Sequence, residues 1–164
     1  MNTSTPRAAE LIRTLGLHPH PEGGWYRETF RSPQIVETTD GRGPRSALTT
    51  IDFLLTQGQF SAWHRVASDE VWHLLEGDGL RLWLMPPSLD RIEQIDLHPV
   101  GGHGAPRHTV AAHWWQAAEP LGEHALVGAT VGPGFDFADF TFLRGQAGAK
   151  DALQSLSVAL LRLL

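Results

Sequence analysis

His64 and Glu70 lie in the most chemically informative stretch of this chain, GQFSAWHRVASDEVWHLLEG over residues 58–77. Residues two apart on a strand face the same side, so His64 and Val66 share a face with Phe60 and Ala62. Ala67, Ser68 and Asp69 read as a short turn, and Glu70 opens the return strand. Cross-strand pairing then brings an imidazole and a carboxylate together. His64 is a candidate base, since imidazole changes charge near neutral pH. Glu70, flanked by Val71 and Trp72, is costly to bury unpaired. In an aromatic setting its pKa rises and it becomes a candidate general acid or base. The alternative for Glu70 is a structural partnership with Arg27, Arg65 or His64.

Other residues could complete such a site. Tyr26 is a candidate acid. Arg27 and Glu28 follow the Gly23-Gly24 turn, and strand alternation sends one inward and the other outward. An inward Arg suits a carboxylate or phosphate on a ligand, and an inward Glu suits hydroxyls. Trp72 and Trp83 are candidate walls for a ligand, although Trp residues more often serve as core. His73 is a candidate acid or ligand contact, but alternation puts it on the face opposite Glu70 and Trp72. Asp136 and Asp139 in GFDFADF fall on opposite faces of a regular strand, one at a pocket mouth and the other capping a turn. His18, His20, His103 and His108 lie among Gly and Pro and read as solvated.

The elements needed to position these groups are mostly strands. WYRETF (25–30), ALTTIDFLL (47–55), FSAWHRV (60–66), EVWHLL (70–75), LRLWLM (80–85), HWWQA (113–117), ALVGATV (125–131) and FADFTFL (137–143) are rich in Thr, Val, Trp and Phe. Gly- and Pro-containing turns separate them, which predicts a closed barrel or sandwich. Residues 5–16 predict a helix, with Thr5 as cap, Pro6 in the first turn and Gly16 at the end. Leu153, Leu156, Leu160 and Leu163 predict a second helix over 147–164. Its stripe packs on the outside of the barrel or, alternatively, pairs two subunits. The expectation is one domain over residues 1–164, with the barrel at 25–143.

Composition narrows the function classes. The chain has 164 residues, 41% of them hydrophobic and 19% charged, which is enough apolar material for a folded core. The net charge is -5 and the basic residues are scattered, which argues against a nucleic-acid partner. The absence of cysteine excludes disulfides, thiolate metal sites and a Cys nucleophile. The N-terminal residues show no signal pattern. The apolar run Val158–Leu164 is too short to span a bilayer and is interrupted by Arg162. A cytoplasmic protein with no membrane partner is the expectation.

The spacing Gly58, His64, Glu70, Gly77 resembles the first motif of the cupin superfamily, with Val66 where the second histidine of a His-x-His pair would stand. The second cupin motif is matched loosely by RHTVAAHWWQAAEP (107–120), where Gln116 falls at the ligand-histidine position. Residues 19–33, 46–55, 60–78 and 132–143 are similar to the uncharacterised cupin-5 group, in the same order along nearly the whole chain. The resemblance implies an all-β fold with flanking helices, a double-stranded β-helix or jelly-roll barrel, and commonly a homodimer. It also implies, in metal-binding relatives, a divalent transition metal. Here His64, Glu70 and Gln116 would be the ligands, with His73 or His113 as helpers. The chain is similar as well to sugar-nucleotide epimerases and to seed-storage globulins among the cupins, which imply catalysis and none.

Three readings follow. The first is a pocket for a polar small molecule, carbohydrate-related, with isomerase or epimerase chemistry by proton transfer. His64 is then the base, Glu70 orients or relays, and Tyr26 or His73 supplies the acid. Arg27, Glu28, Trp72, Trp83, Gln116 and Asp136 are its ligand contacts. The second reading is a metal-dependent enzyme. The third is a non-catalytic binding or storage protein.

Overall fold

A computed structural model describes residues 5–101 and 103–164. The chain begins with helix α1 (Pro6–Leu15). The Thr5 hydroxyl accepts the Ala8 N–H, Pro6 opens the first turn, and Gly16 closes the helix in the left-handed conformation. These are the capping groups that the first and last turns require.

Thirteen strands follow among the described residues. They are β1 (His18–Pro19), β2 (Trp25–Arg31), β3 (Ile35–Val36), β4 (Arg45–Ser46), β5 (Thr49–Thr56), β6 (Ser61–Val66), β7 (Asp69–Gly77), β8 (Leu80–Met85), β9 (Glu93–Leu97), β10 (Arg107–Val110), β11 (Trp115–Pro120), β12 (His124–Gly132) and β13 (Phe140–Phe142). They form a six-stranded sheet in the order β1-β2-β5-β12-β7-β10 and a five-stranded sheet in the order β13-β6-β11-β8-β9, beside a small β3-β4 ribbon. The long strands pair antiparallel, β12 between β5 and β7 and β11 between β6 and β8. The fold is a jelly roll with a helix at each end of the chain.

The central strands are buried on both faces, so they read as continuous apolar runs. Phe53, Leu55, Trp72, Leu82, Leu84 and Val127 meet between the sheets. Their alternation partners face outward under the helices. Leu54 and Leu126 lie beneath Ala8 and Leu11 of α1. Trp63 and Trp115 lie beneath Leu153, Leu160 and Leu163. Each fully buried leucine of this kind contributes about 2 kcal/mol.

Two expected elements differ. The C-terminal segment is not one helix. Helix α2 (Ala147–Leu156) stops at Ser157, whose backbone is extended, and Val158–Leu163 form a 3-10 turn. The break re-aims the stripe, so Leu160 and Leu163 are buried while Leu156 is exposed. The expected strand 137–143 is a 3-10 turn at Phe137–Asp139 followed by the short β13, because the Asp136 carboxylate accepts the Ala138 N–H and curls the chain.

Candidate functional site

The two sheets part at one end around a cavity of about 380 Å³. Two buried groups reach its wall from strands that are consecutive in the chain but lie in different sheets. His64 sits on β6, with its neighbour Trp63 turned to the outer cluster. Glu70 sits at the start of β7, beside inward Trp72. The two reach one pocket, but not by the expected cross-strand pairing. Strand β6 pairs with β11 and β13 in one sheet and β7 with β10 and β12 in the other, so the turn between them crosses from sheet to sheet.

The third group is one that reading the sequence missed. Glu22 lies in the loop between β1 and β2, is almost wholly buried and lines the same cavity. Its carboxylate accepts the Ser61 hydroxyl at 2.8 Å and lies 3.3 Å from His64 Nε2. The loop is drawn against the sheet by the Ala62 N–H, which donates to the Glu22 carbonyl at 2.7 Å. Gly23 and Gly24 permit this approach. Both have positive φ, and a Cβ on either would run into the carbonyl oxygen of Phe60 or Leu54. The adjacent glycines after Glu22 were the available signal, since such a pair marks a backbone that must come close to something.

The His64 tautomer follows from its neighbours. Nδ1 lies 2.7 Å from the Ala62 carbonyl. A carbonyl oxygen only accepts, so in the neutral ring Nδ1 carries the proton and Nε2 is bare. Burial pulls the His64 pKa below its ordinary value, which keeps the ring neutral, although the charge of Glu70 opposes this. Burial raises Glu22 from 4.5 to about 8, with the Ser61 hydrogen bond opposing. A protonated Glu22 facing a bare Nε2 is an acid–base couple holding one proton. The His64 ring is also stacked on Phe140, with centroids 5.1 Å apart.

Glu70 is held differently. The Trp72 indole N–H donates to Gln116 Oε1 at 2.9 Å, and Gln116 Nε2 donates to Glu70 Oε2. The indole is only a donor, so the amide orientation is set and Glu70 is held in place. Burial raises Glu70 to about 7, the neighbouring His64 opposing and Glu22 adding to the rise.

His20, read from the sequence as solvated, is a second correction. Its side chain is 6% exposed and lines the cavity. It packs edge-on against Tyr26, with centroids 4.4 Å apart. Its Nδ1 accepts the Glu22 N–H at 3.2 Å. Burial lowers its pKa to about 4, with His64 adding to the effect.

Among the remaining candidates, Tyr26, Trp72 and Asp136 line the cavity as expected. Arg27 and Glu28 both line it, where one was expected to turn away; they pair in regular register with Asp52 and Ile51, and the register shift lies one step beyond them, between Glu28 and Phe30. Asp136 both lines the mouth and caps the 3-10 turn, whereas Asp139 is taken up by Arg42 and Arg45. Three candidates do not reach the wall. His73 lies on the opposite face of β7 from Trp72. Trp83 packs in the outer cluster and donates to Glu119. Gln116 stands behind Glu70 with both amide atoms in use.

A transition ion does not fit these donors. Val66 offers none, Gln116 has both amide atoms committed, and His64 Nε2 faces a carboxyl that keeps its proton to about pH 8. Among the described residues no group of three or more His, Asp or Glu is arranged to hold a metal. No helix among them is long and apolar enough to cross a membrane.

Comparison with known proteins places the fold in a family. An uncharacterised protein of Saccharomyces cerevisiae, YML079W, is 28% identical over 151 residues, covering 84% of this chain and 75% of the yeast protein. A hypothetical protein from Leishmania major superposes with a TM-score of 0.77 at 30% identity, covering 94% of this chain and 96% of its own. Protein SO0799 from Shewanella oneidensis superposes with a TM-score of 0.78 at 26% identity, covering 95% and 96%. The family model Cupin_5, described as cupin superfamily (DUF985), matches residues 9–143, and the chain belongs to that family.

Proposed function

We propose that this cupin-fold protein binds a polar small molecule in the cavity and moves a proton on it, as an isomerase or epimerase does. The observation that carries this reading is the Glu22–His64 couple, a carboxyl and a bare imidazole nitrogen 3.3 Å apart at the wall of a 380 Å³ cavity. Burial raises the Glu22 carboxyl to about 8 and lowers His64 below its ordinary value, and a group poised near the working pH is the most effective proton carrier. In its deprotonated form the couple takes a proton from a C–H next to a carbonyl and returns it to the neighbouring atom or to the other face. No proton is gained or lost overall. Glu70, held through Gln116 and Trp72, orients the ligand. The aromatic rings of Tyr26, Trp72 and Phe140 cover its carbon frame.

The test is hydrogen exchange. The protein is incubated in D2O with a panel of monosaccharides and amino sugars, and loss of C–H signals is followed by NMR. Catalysed exchange that disappears in His64→Ala and Glu22→Gln supports the reading. Exchange on a turned-over compound that survives both substitutions rejects it.

A further inference from the structure

Charge is unevenly spread over the cavity wall. The wall carries four carboxyls, Glu22, Glu28, Glu70 and Asp136, against two guanidiniums, Arg27 and Arg31. Both guanidiniums sit on β2 at the mouth and face acids of their own. Arg31 holds Glu28 through two hydrogen bonds and also donates to the Phe135 carbonyl. Arg27 lies 4.0 Å from Asp52. Deeper in, Glu22 has its proton and its partners, Ser61 and His64. Asp136 is satisfied by the Ala138 N–H.

Glu70 is the exception. It is a buried acid whose one side-chain donor is the neutral amide of Gln116. Among the described residues no Lys or Arg pairs with it. Of the three histidines of the wall, burial holds His20 and His64 neutral, and His18 is exposed on β1 and makes no ion pair with Glu70. Burying an acid without a counter-ion is costly, and an acid locked at the wall of a cavity can gain that counter-ion from a ligand. The surroundings suit an organic cation, because Trp72, Phe53 and Tyr26 line the same space and present π faces and edges.

We infer that the ligand of this cavity carries a protonated amine, and that Glu70 is its counter-ion. This rests on the small-molecule reading above and names the ligand class. The ammonium donates to the Glu70 carboxylate, which lies on the same wall as the Glu22–His64 couple. Binding therefore favours ionised Glu70 and strengthens as pH rises through the Glu70 range. It fades below that range, where Glu70 is protonated.

The probes are three molecules of one shape, namely benzylammonium, benzyl alcohol and benzoate, titrated into the full chain by calorimetry. Benzylammonium is expected to bind at least about tenfold more tightly than benzyl alcohol at about pH 8.5, with the advantage shrinking severalfold at about pH 6. Glu70→Gln is expected to remove the advantage, and a cooperative thermal unfolding transition checks that the variant is folded. Equal binding of the amine and the alcohol, tighter binding of benzoate, no binding of the amine, or an amine preference that survives in Glu70→Gln overturns the assignment. If deuterium exchange by the Glu22–His64 couple persists on neutral sugars while the amine shows no advantage, the ligand class fails and the proton-transfer reading stands.

Discussion

Two glutamate–histidine pairs in this molecule have nearly the same geometry and opposite electrostatics. Glu76 and His124 meet at 3.2 Å near the N-terminal helix, and Glu22 and His64 meet at 3.3 Å in the cavity. Arg7 of α1 grips Glu76 through both carboxylate oxygens. That guanidinium, helped by His124, holds Glu76 down at about 2. Glu22 has a hydroxyl where Glu76 has an arginine, and burial takes it up to about 8. The third neighbour and the access of water decide what a Glu–His pair does. With a cation and solvent it is a fastener for a helix, and without them it becomes a proton carrier.

The largest expected effect comes from dismantling the carrier. His64→Ala and Glu22→Gln should each lower ligand hydrogen exchange by about 10²- to 10⁴-fold, the usual contribution of a positioned acid or base, whereas Glu76→Gln should leave the rate within about twofold. The wild-type rate should rise with pH and level off above about 8, because the couple must lose its proton to accept one.

Next in size is the loop that carries Glu22. Gly23→Ala should destabilise the fold by about 2–4 kcal/mol, since a Cβ there meets the Phe60 carbonyl and the backbone has positive φ. Chemical denaturation measures the loss. Gly41→Ala also has positive φ but open space around it, and it should cost about 1 kcal/mol.

The pH dependence of stability separates the two pairs further. Glu22 and Glu70 have folded-state pKa values raised by burial. Their stabilising contribution is complete below the unfolded carboxyl value of about 4.3 and is lost as pH rises through about 7 and 8. Glu76 has the opposite sign, and its contribution is lost only as pH falls through about 2. Denaturation between about pH 5 and 9 should therefore show wild-type stability falling relative to Glu22→Gln by on the order of 4 kcal/mol, with no such divergence for Glu76→Gln. The smallest effect is Arg7→Met, which should lower the Tm slightly and do so less at high salt, because this ion pair is exposed.

Much of the fold was legible where burial was two-sided. Strand β8, LRLWLM, was bounded correctly at 80–85 because its apolar run is short and flanked by turn residues. Strands β9 and β10 were missed. They are the edges of their sheets, pair on one side, and expose much of their length, so neither carries a clean alternation. The C-terminal leucines kept helical spacing through Ser157, and nothing local announced that the backbone extends there. In the site, His64 and Glu70 were readable because their strands follow one another through a short turn, although that turn joins the two sheets rather than closing a hairpin. Glu22 and His20 were not, because a Gly- and Pro-rich loop reads as solvated until its tertiary contact is known. Gln116 was placed beside the right residues, but which way its amide is spent depends on Trp72 across the barrel.

Burial sets two cavity carboxyls to titrate near neutral pH, while Arg7 holds Glu76 ionised there. A carboxyl 13C NMR titration of protein labelled at glutamate, assigned with Glu22→Gln, Glu70→Gln and Glu76→Gln, tests this contrast most directly. The Glu22 and Glu70 resonances are expected to move at about pH 8 and about pH 7, with Glu76 titrating well below the ordinary range. Midpoints near the ordinary glutamate value of about 4.3 for both Glu22 and Glu70 would contradict this.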